Sequence, residues 1–355
     1  KFPAGRYAGP AAYERVLSYF KANKFNATIR EAKLLTSGTE NLKDLYWLLA
    51  ESHAALKDED GAIQYYRLIM TKCPDSDLAP DAGYRLGHLL QKHEEYLQAA
   101  EVFGSVAERY STNNIAPQSL FAAAACRGKA GRQEEAVRDW RRLIEKYPST
   151  QLAEEARYQK AMSEIFLARD DQAIASLRDL IERHAGSRFA VEARYWLGVL
   201  LDGGGKRADA ETELRAALAG KPEPEMERRI QLQLAVVLRK TGKTDESAGL
   251  LGPLVSSPAG AKIRSSLLSW LAEYHLGKRD WTRAVEPAVA LASRGESAAW
   301  KQFGYCLAAR ALTEQGREME AKDALEKALA IPGDLDSRPE AAWRLSWRSS
   351  AGWMP

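Results

Sequence analysis

Cysteine and histidine are scarce in this chain of 355 residues, which contains three cysteines and five histidines. The cysteines, Cys73, Cys126 and Cys306, are too few and too widely separated for a disulfide scaffold or a zinc site. The histidines form no His-Glu-x-x-His motif or other ligand spacing of the kind that a helical metal site needs. The sequence therefore predicts no metal and no other cofactor.

The chain also has no large excess of either charge and no long apolar run. Lys and Arg number 51 against 48 Asp and Glu, a formal net charge of +3, whereas a nucleic-acid-binding domain usually has a marked basic excess. An apolar run such as residues 121–126 is far shorter than the roughly 18 residues that span a bilayer. We expect no nucleic-acid partner and no membrane span within this segment.

Catalytic motifs are also missing. No Gly-x-Ser-x-Gly elbow or pair of carboxylates stands out, and we expect no enzymatic activity and no catalytic residue. The glycine-rich run from Asp202 to Lys206 lacks the spacing of a phosphate-binding loop, so we interpret it as a turn between helices. The acidic run from Asp58 to Asp60 is interpreted as another, solvated turn.

Alanine is abundant, with 58 residues or about 16% of the chain, and it is the best helix former. Small residues recur with a period of 37 residues, in two columns that lie twelve residues apart. The upstream column consists of Ala50, Gly87, Ala124, Ala161, Gly198, Ala235, Ala272 and Ala309. The downstream column consists of Ala62, Ala99, Ala136, Ala173, Ala210, Ser247, Ala284 and Ala321.

A third column, mostly large and apolar, follows the second by four residues. Its members are Tyr66, Phe103, Trp140, Leu177, Leu214, Leu251, Ala288 and Leu325. Apolar residues also recur at i, i+3, i+4 and i+7, so each unit contains two amphipathic helices. We predict that the small columns mark where the two helices cross, because small side chains let helix backbones approach closely.

Residues that end or begin helices recur at fixed positions in the units. Glycine recurs at one register between the two helices, where a left-handed residue ends a helix: Gly131, Gly205, Gly242 and Gly316. Proline stops the second helix of several units: Pro74, Pro148 and Pro222. Residues of the N-cap type then precede the next helix: Ser76, Asn113, Thr150 and Ser187.

The order of these signals resembles the tetratricopeptide repeat. A Leu-Gly pair occurs at Leu86-Gly87, an alanine precedes an aromatic residue by four positions at Ala99 and Phe103, and a proline closes units such as the one that ends at Pro148. The unit here has 37 residues instead of the usual 34. The resemblance and the period together predict an all-α fold, a right-handed superhelical solenoid of about nine helix-turn-helix repeats plus a terminal helix.

The expected domain organisation is simple. We predict a flexible segment over residues 1–10, a single solenoid over residues 11–350 and a tail over residues 351–355. Within the solenoid we expect a degenerate first repeat over residues 11–40, regular repeats over about 43–332 and a terminal helix over about 338–350.

The joint after each proline resembles a narrower group. Residues 147–156 read Tyr-Pro-x-Thr-x-x-Ala-x-x-Ala, which is similar to the joint of bacterial envelope repeat proteins such as the barrel-assembly lipoprotein D family and the Tol–Pal-linked periplasmic coordinator. The resemblance implies a non-catalytic scaffold for protein–protein interaction in a cell-envelope assembly. It favours the periplasm or the envelope, with the cytoplasm left open. The alternative is the helical arm of a larger envelope glycan-processing enzyme or of a cytoplasmic regulator.

Candidate binding residues come from helix geometry. If the small first-helix residue faces the second helix, positions −6, −3, +1 and +4 from it face a concave groove. The −3 position carries five successive aromatic residues: Trp47, Tyr84, Phe121, Tyr158 and Tyr195. Two interpretations stand, contact with an extended peptide or protein partner and packing between neighbouring first helices.

Charges at positions −6, +1, +4 and +5 from the small first-helix residue change sign along the chain. Repeats two to six carry six acidic side chains, Asp202 among them, against two basic ones, whereas repeats seven to nine carry more basic than acidic ones. The basic residues of the later repeats are predicted to bind the partner: Arg229, Arg239, Lys240 and Arg310. A groove with two poles would orient an extended partner.

The C-terminal end carries a last signal. Trp343 and Trp347 lie four residues apart and thus on one helical face, and no polar helix follows to cover them. We expect either that they pack inward or that they dock onto a further domain beyond Pro355 or onto a second copy of the chain.

Overall fold

The computed structural model describes residues 8–36 and 41–332 of the chain. These residues form eighteen α-helices and one short 3-10 helix, and they contain no strand. The helices follow each other as nine helix-turn-helix pairs, so the all-α class and the predicted number of pairs are confirmed for the described residues. We call the odd-numbered member of each pair its first helix and the even-numbered member its second helix.

The backbone divides into two compact units, one with the residues up to Phe189 and one that starts at Ala190. Sequence periodicity predicted one continuous solenoid. Because repeats contact only their neighbours, an array of them divides readily at a joint. Within each unit, every helix packs against the next helix along the chain.

The first unit contains five pairs. Their bounds are α1 (Ala8–Lys21), α2 (Phe25–Leu35), α3 (Leu42–Ala55), α4 (Glu59–Lys72), α5 (Ala79–Lys92), α6 (Tyr96–Arg109), α7 (Ala116–Lys129), α8 (Gln133–Lys146), α9 (Gln151–Phe166) and α10 (Asp170–Arg183).

The second unit contains four pairs, and a 3-10 helix (Pro258–Lys262) precedes the third of them. Their bounds are α11 (Ala190–Gly203), α12 (Arg207–Ala219), α13 (Pro224–Lys240), α14 (Thr244–Val255), α15 (Ser265–Gly277), α16 (Trp281–Arg294), α17 (Ala298–Glu314) and α18 (Glu318–Ala330). Across the described part of the chain, no helix combines the length and the apolar character that crossing a membrane requires.

The N-terminal boundary needs a correction. Residues 1–10 were predicted to be flexible, but α1 already begins at Ala8 and includes Pro10. Proline is compatible with a first helical turn because the amide of that turn has no partner within the helix.

The two small columns lie where the period placed them, at the crossing of the two helices of each pair. All eight residues of the downstream column are fully buried, as are Ala50, Ala124 and Ala161 of the upstream column. A Cβ atom added to Gly198 would lie 2.7 Å from Leu214 of the second helix, in the large column. The helices therefore cross at a distance that only small residues allow.

Each pair turns through one left-handed residue. The predicted glycines have positive φ angles, for example 77° at Gly205 and 82° at Gly242. The same register holds four residues that are not glycine, with φ between 54° and 61°: Lys57, Glu94, Ala168 and Arg279. The turn is thus a property of the repeat, and glycine merely removes its steric cost.

The predicted N-caps are confirmed at one position of four. The hydroxyl of Thr150 accepts a hydrogen bond from the amide of Ala153. Helices α5, α7 and α11 begin three residues after the predicted caps, at Ala79, Ala116 and Ala190. Asn113 and Ser187 instead accept from the amide two residues further on, because a short polar side chain also stabilises a tight turn.

The acidic run at residues 58–60 is also more than a solvated turn. Asp58 caps α4 by accepting from the amide of Gly61, and its other oxygen lies 2.6 Å from Nδ1 of His53. The hydrogen bond from Gly61 and then the one with His53 lower the pKa of Asp58. The next residue, Glu59, pairs with Lys92 and His93 of the following repeat.

Several predicted features lie outside the described residues. They are the terminal helix over about 338–350, the tail over 351–355, and with them Trp343 and Trp347.

Candidate partner-binding face

The first-helix face is the surface carried by positions −6, −3, +1, +4 and +5 relative to the small first-helix residue of each pair. In the first unit its −3 position holds four aromatic rings, each partly exposed: Trp47, Tyr84, Phe121 and Tyr158. They sit on α3, α5, α7 and α9, one per repeat, because the period of 37 residues returns each ring to the same register.

Three of these rings pack edge-on against the large second-helix residue of their own pair. The ring centroids lie 5.9 Å apart for Trp47 and Tyr66, 5.6 Å for Tyr84 and Phe103, and 4.8 Å for Phe121 and Trp140. The partner rings are almost completely buried. These three rings are therefore fixed by packing within their own pairs, and the remaining surface of each ring stays available.

Tyr158 packs differently. Its ring stacks on Phe189 at 4.9 Å, in the joint that follows α10. Arg188 lies 4.6 Å from the Phe189 ring and forms an ion pair of 2.7 Å with Glu155. Here the ring packs against the joint that precedes the next first helix, whereas the packing interpretation expected contact between neighbouring first helices.

A polar cluster surrounds Trp47. Arg85 of the next repeat lies 5.2 Å from the indole centroid and 3.1 Å from Glu51, which accepts a hydrogen bond from the hydroxyl of Tyr66. Burial, and then the bond to Glu51, raise the pKa of Tyr66 far above its usual value. The phenol therefore stays protonated at physiological pH, and the cluster holds the ring in place.

In the second unit, two predicted basic residues lie over aromatic rings. Arg229 lies 5.2 Å from the ring of Tyr195, and Arg239 lies 5.6 Å from the ring of Trp270. Arg310 is exposed on α17. Stacked guanidinium groups keep their charge while their position is fixed.

The predicted change of charge along the groove is weaker than the residue counts indicated. Asp202, counted as a free groove charge, is only 8% exposed and pairs with Lys240 at 2.7 Å. The two cancel each other because α11 and α13 bring successive first helices together. The −3 position also turns inward later in the chain, where Ser269 and Cys306 are buried.

Sequence reasoning missed a cavity of about 440 Å³ between α7, α8 and α9, which Phe121, Trp140 and Met162 line. The cavity results from the residue that directly follows the small first-helix residue. In α3, α5, α7 and α9 of the first unit, this +1 residue is Glu51, His88, Ala125 and Met162. In the second helix pair, Glu51 accepts a hydrogen bond from the hydroxyl of Tyr66, and in the third pair the ring of His88 lies 5.1 Å from that of Phe103. In the fourth pair, the small side chain of Ala125 leaves the corresponding space beside Trp140 open.

A second cavity, of about 510 Å³, lies between α8, α9 and α10, and most of the residues that line it are polar or charged. Glu164 is 1% exposed, pairs with Lys160 at 3.0 Å and accepts from Ser176 at 2.6 Å. The first helices α3, α5 and α7 carry leucine or alanine at the position of Lys160, namely Leu49, Leu86 and Ala123. A comparison of that column would have identified this polar layer.

Family models agree with the repeat assignment. Residues 44–76 and 118–150 match one model of the tetratricopeptide repeat, and residues 158–224 match another. The matched segments are tetratricopeptide repeats. They include Trp47, Phe121, Tyr158 and Tyr195, so these candidate residues lie within identified repeats. The sequence matches no curated protein.

Several solved structures are similar to the chain at low sequence identity. A tetratricopeptide repeat protein from Parabacteroides merdae is 16% identical, with a TM-score of 0.44, over 81% of this chain and 98% of that one. MamA from Desulfovibrio magneticus RS-1 is 14% identical, with a TM-score of 0.43, over 51% and 94%. YrrB, a repeat protein with an unusual peptide-binding site, is 18% identical, with a TM-score of 0.42, over 55% and 95%. These comparisons do not support the narrower resemblance to the barrel-assembly lipoprotein D or Tol–Pal-linked proteins.

Proposed function

We propose that the chain is a non-catalytic scaffold that binds an extended segment of a protein partner on its first-helix face. The observation that carries this proposal is the row of partly exposed rings in the first unit: Trp47, Tyr84, Phe121 and Tyr158. Because packing already fixes each ring, binding costs little side-chain entropy, and aromatic residues held in this way dominate many interfaces.

The second unit supports the same role with a different chemistry. Arg229 and Arg239 are held over aromatic rings, a combination that is enriched at binding hot spots. Lys240 is already neutralised by Asp202, so we expect it to contribute less than Arg229. Arg310 and Tyr195 complete the proposed contact residues of this unit.

A peptide selection tests the proposal. Random dodecapeptides displayed on phage are selected on the full chain and compared with selection on a Tyr84→Leu, Tyr158→Leu variant. Leucine is chosen because Leu232 holds the same register in α13, so the packing is expected to persist. We expect at least a tenfold loss of affinity for the enriched peptides, since two rigid contacts are removed.

The matched control carries Arg138→Ala and Arg178→Ala on the exposed sides of α8 and α10. This control is expected to bind the same peptides with unchanged affinity, and circular dichroism checks that both variants are folded. Equal binding by all three proteins would assign the aromatic column to packing alone.

We also propose a place for the scaffold in a bacterial envelope assembly, which rests on the sequence of the joint around Tyr147 and Pro148. Fractionation of the native organism with an antibody against the chain tests this placement. Recovery in the cytoplasmic fraction would favour the alternative, a cytoplasmic regulator.

A further inference from the structure

The cavity between α7 and α9 has the properties of an anchor pocket. Ala125 and Gly128 line it from α7, and each is the smallest residue of its column in the first unit. The column of Gly128 otherwise reads Ala54, Gln91 and Ile165. One wall is the Phe121 ring against Trp140, and Phe166, 72% exposed, lines the pocket from α9.

One end of the pocket carries a charge that the fold does not neutralise. Lys92, the counterpart of Lys129 one repeat earlier, pairs with Glu59. The residue that corresponds to Glu59 in the next repeat is Tyr96, and the ammonium group of Lys129 lies 5.5 Å from its ring. Among the residues that the structure describes, no carboxylate pairs with Lys129. At the other end, Glu155 is already paired with Arg188.

The dimensions suit a short extended segment. Phe121 and Lys129 lie eight residues apart on α7, or about 12 Å along a helix that rises 1.5 Å per residue. An extended chain covers this distance in about four residues. A partner side chain that fills the apolar end is thus followed within a few residues by one that reaches Lys129.

We propose that this pocket anchors the protein partner through one large apolar side chain, phenylalanine, tryptophan, leucine or methionine, with an aspartate or glutamate within four residues of it. The apolar side chain lies against Phe121 and Trp140, and the carboxylate pairs with Lys129. This inference rests on the proposed function and specifies which partner segments the first-helix face selects.

Two pairs of variants test it with the same random dodecapeptide library. Ala125→His fills the pocket with the side chain that His88 already places at this register, and Arg138→His adds the same side chain to an exposed site on α8, away from the first-helix face. Lys129→Glu reverses the free charge. Lys146→Glu reverses a matched charge, which lies 5.7 Å from the Tyr147 ring at the end of α8.

We expect the enriched peptides to combine a large apolar residue with a nearby acidic one, and to lose at least tenfold in affinity on Ala125→His but not on Arg138→His. Selection on Lys129→Glu should enrich lysine or arginine in place of the acid, whereas Lys146→Glu should leave the acidic preference unchanged. Peptides that depend on Tyr84 and Tyr158 but not on Ala125 or Lys129 would overturn the pocket and leave the proposed scaffold function standing. A library without any enriched peptide would overturn both.

Discussion

The hydroxyl of Tyr147 donates a hydrogen bond of 3.0 Å to the carbonyl oxygen of Ser111, in the preceding joint of the array. Tyr110 makes the equivalent bond, of 2.6 Å, to the carbonyl of Pro74. Each tyrosine follows a second helix as its C-cap residue and ties one joint to the joint before it. The extended joint of the 37-residue unit is therefore fastened by a side chain.

Replacing Tyr147 with phenylalanine should lower the free energy of unfolding by about 0.5–1.5 kcal/mol, since one partly buried carbonyl loses its donor while the ring is kept. Tyr96→Phe is the matched control, because no partner for the Tyr96 hydroxyl is found among the described residues. Urea unfolding followed by circular dichroism measures both. If both variants lost the same free energy of unfolding, the hydrogen bond between Tyr147 and Ser111 would not be the cause of the loss.

The turn between α11 and α12 offers two neighbouring glycines with opposite expectations. Gly205 has a φ of 77°, so Gly205→Ala should destabilise by about 1 kcal/mol. Gly203 ends α11 with helical geometry, and no atom lies within 4 Å of a Cβ placed there. Gly203→Ala should therefore stabilise by about 0.5–1 kcal/mol. Thermal melts of the two variants give the signs, and shifts in the same direction would contradict this account.

The polar layer around Glu164 makes a prediction about paired substitutions. Lys160→Ala leaves the buried carboxylate of Glu164 without its cation and should destabilise by about 3–5 kcal/mol. Replacing Lys160 and Glu164 together with leucine should be neutral or stabilising, because apolar packing avoids the desolvation of both charges. A double variant less stable than Lys160→Ala, measured by urea unfolding, would show that the layer is required for packing.

His88 should make the first unit less stable as the solution becomes acidic. His88 remains exposed at the surface, but partial desolvation lowers the pKa of its imidazole in the folded chain, whereas the unfolded chain binds a proton near pH 6.5. The unfolded state then holds more protons, and stability falls as the pH drops below about 6.5. His88→Met, which copies Met162 of the same register, should reduce the loss between pH 7.5 and pH 5.5. Urea midpoints at the two pH values measure it, and an unchanged difference would assign the pH dependence to other groups.

The helix pairs were predictable because their cause is periodic. A small residue such as Ala173 recurs wherever two helices cross, and glycine occupies four of the eight turn positions from Lys57 to Gly316. Sterics alone thus determine the register of the pairs and the side of each helix that is buried. The same argument placed the aromatic column on the first-helix face, although its contacts with the second helix are known only from the structure.

The caps and the cavities were less predictable because they depend on single departures from the pattern. Ser76 and Thr150 occupy the same register, yet only the hydroxyl of Thr150 among the four predicted caps bonds to a first-turn amide of the following helix. The pocket beside Trp140 results from what Ala125 leaves empty. A vacancy of this kind is visible in a sequence only after equivalent positions are aligned and compared by size.

The left-handed turns have a practical consequence for engineering this chain. All eight turn residues from Lys57 to Gly316 are exposed, at intervals of 37 residues. Lengthening a surface loop costs little, about 0.6 kcal/mol for each doubling of its length. A fluorophore-binding tag or a whole folded domain inserted after Ala168 should leave the packing of the helix pairs and the first-helix face unchanged. The fold thus provides regularly spaced attachment points where new modules can be added without redesign of the core.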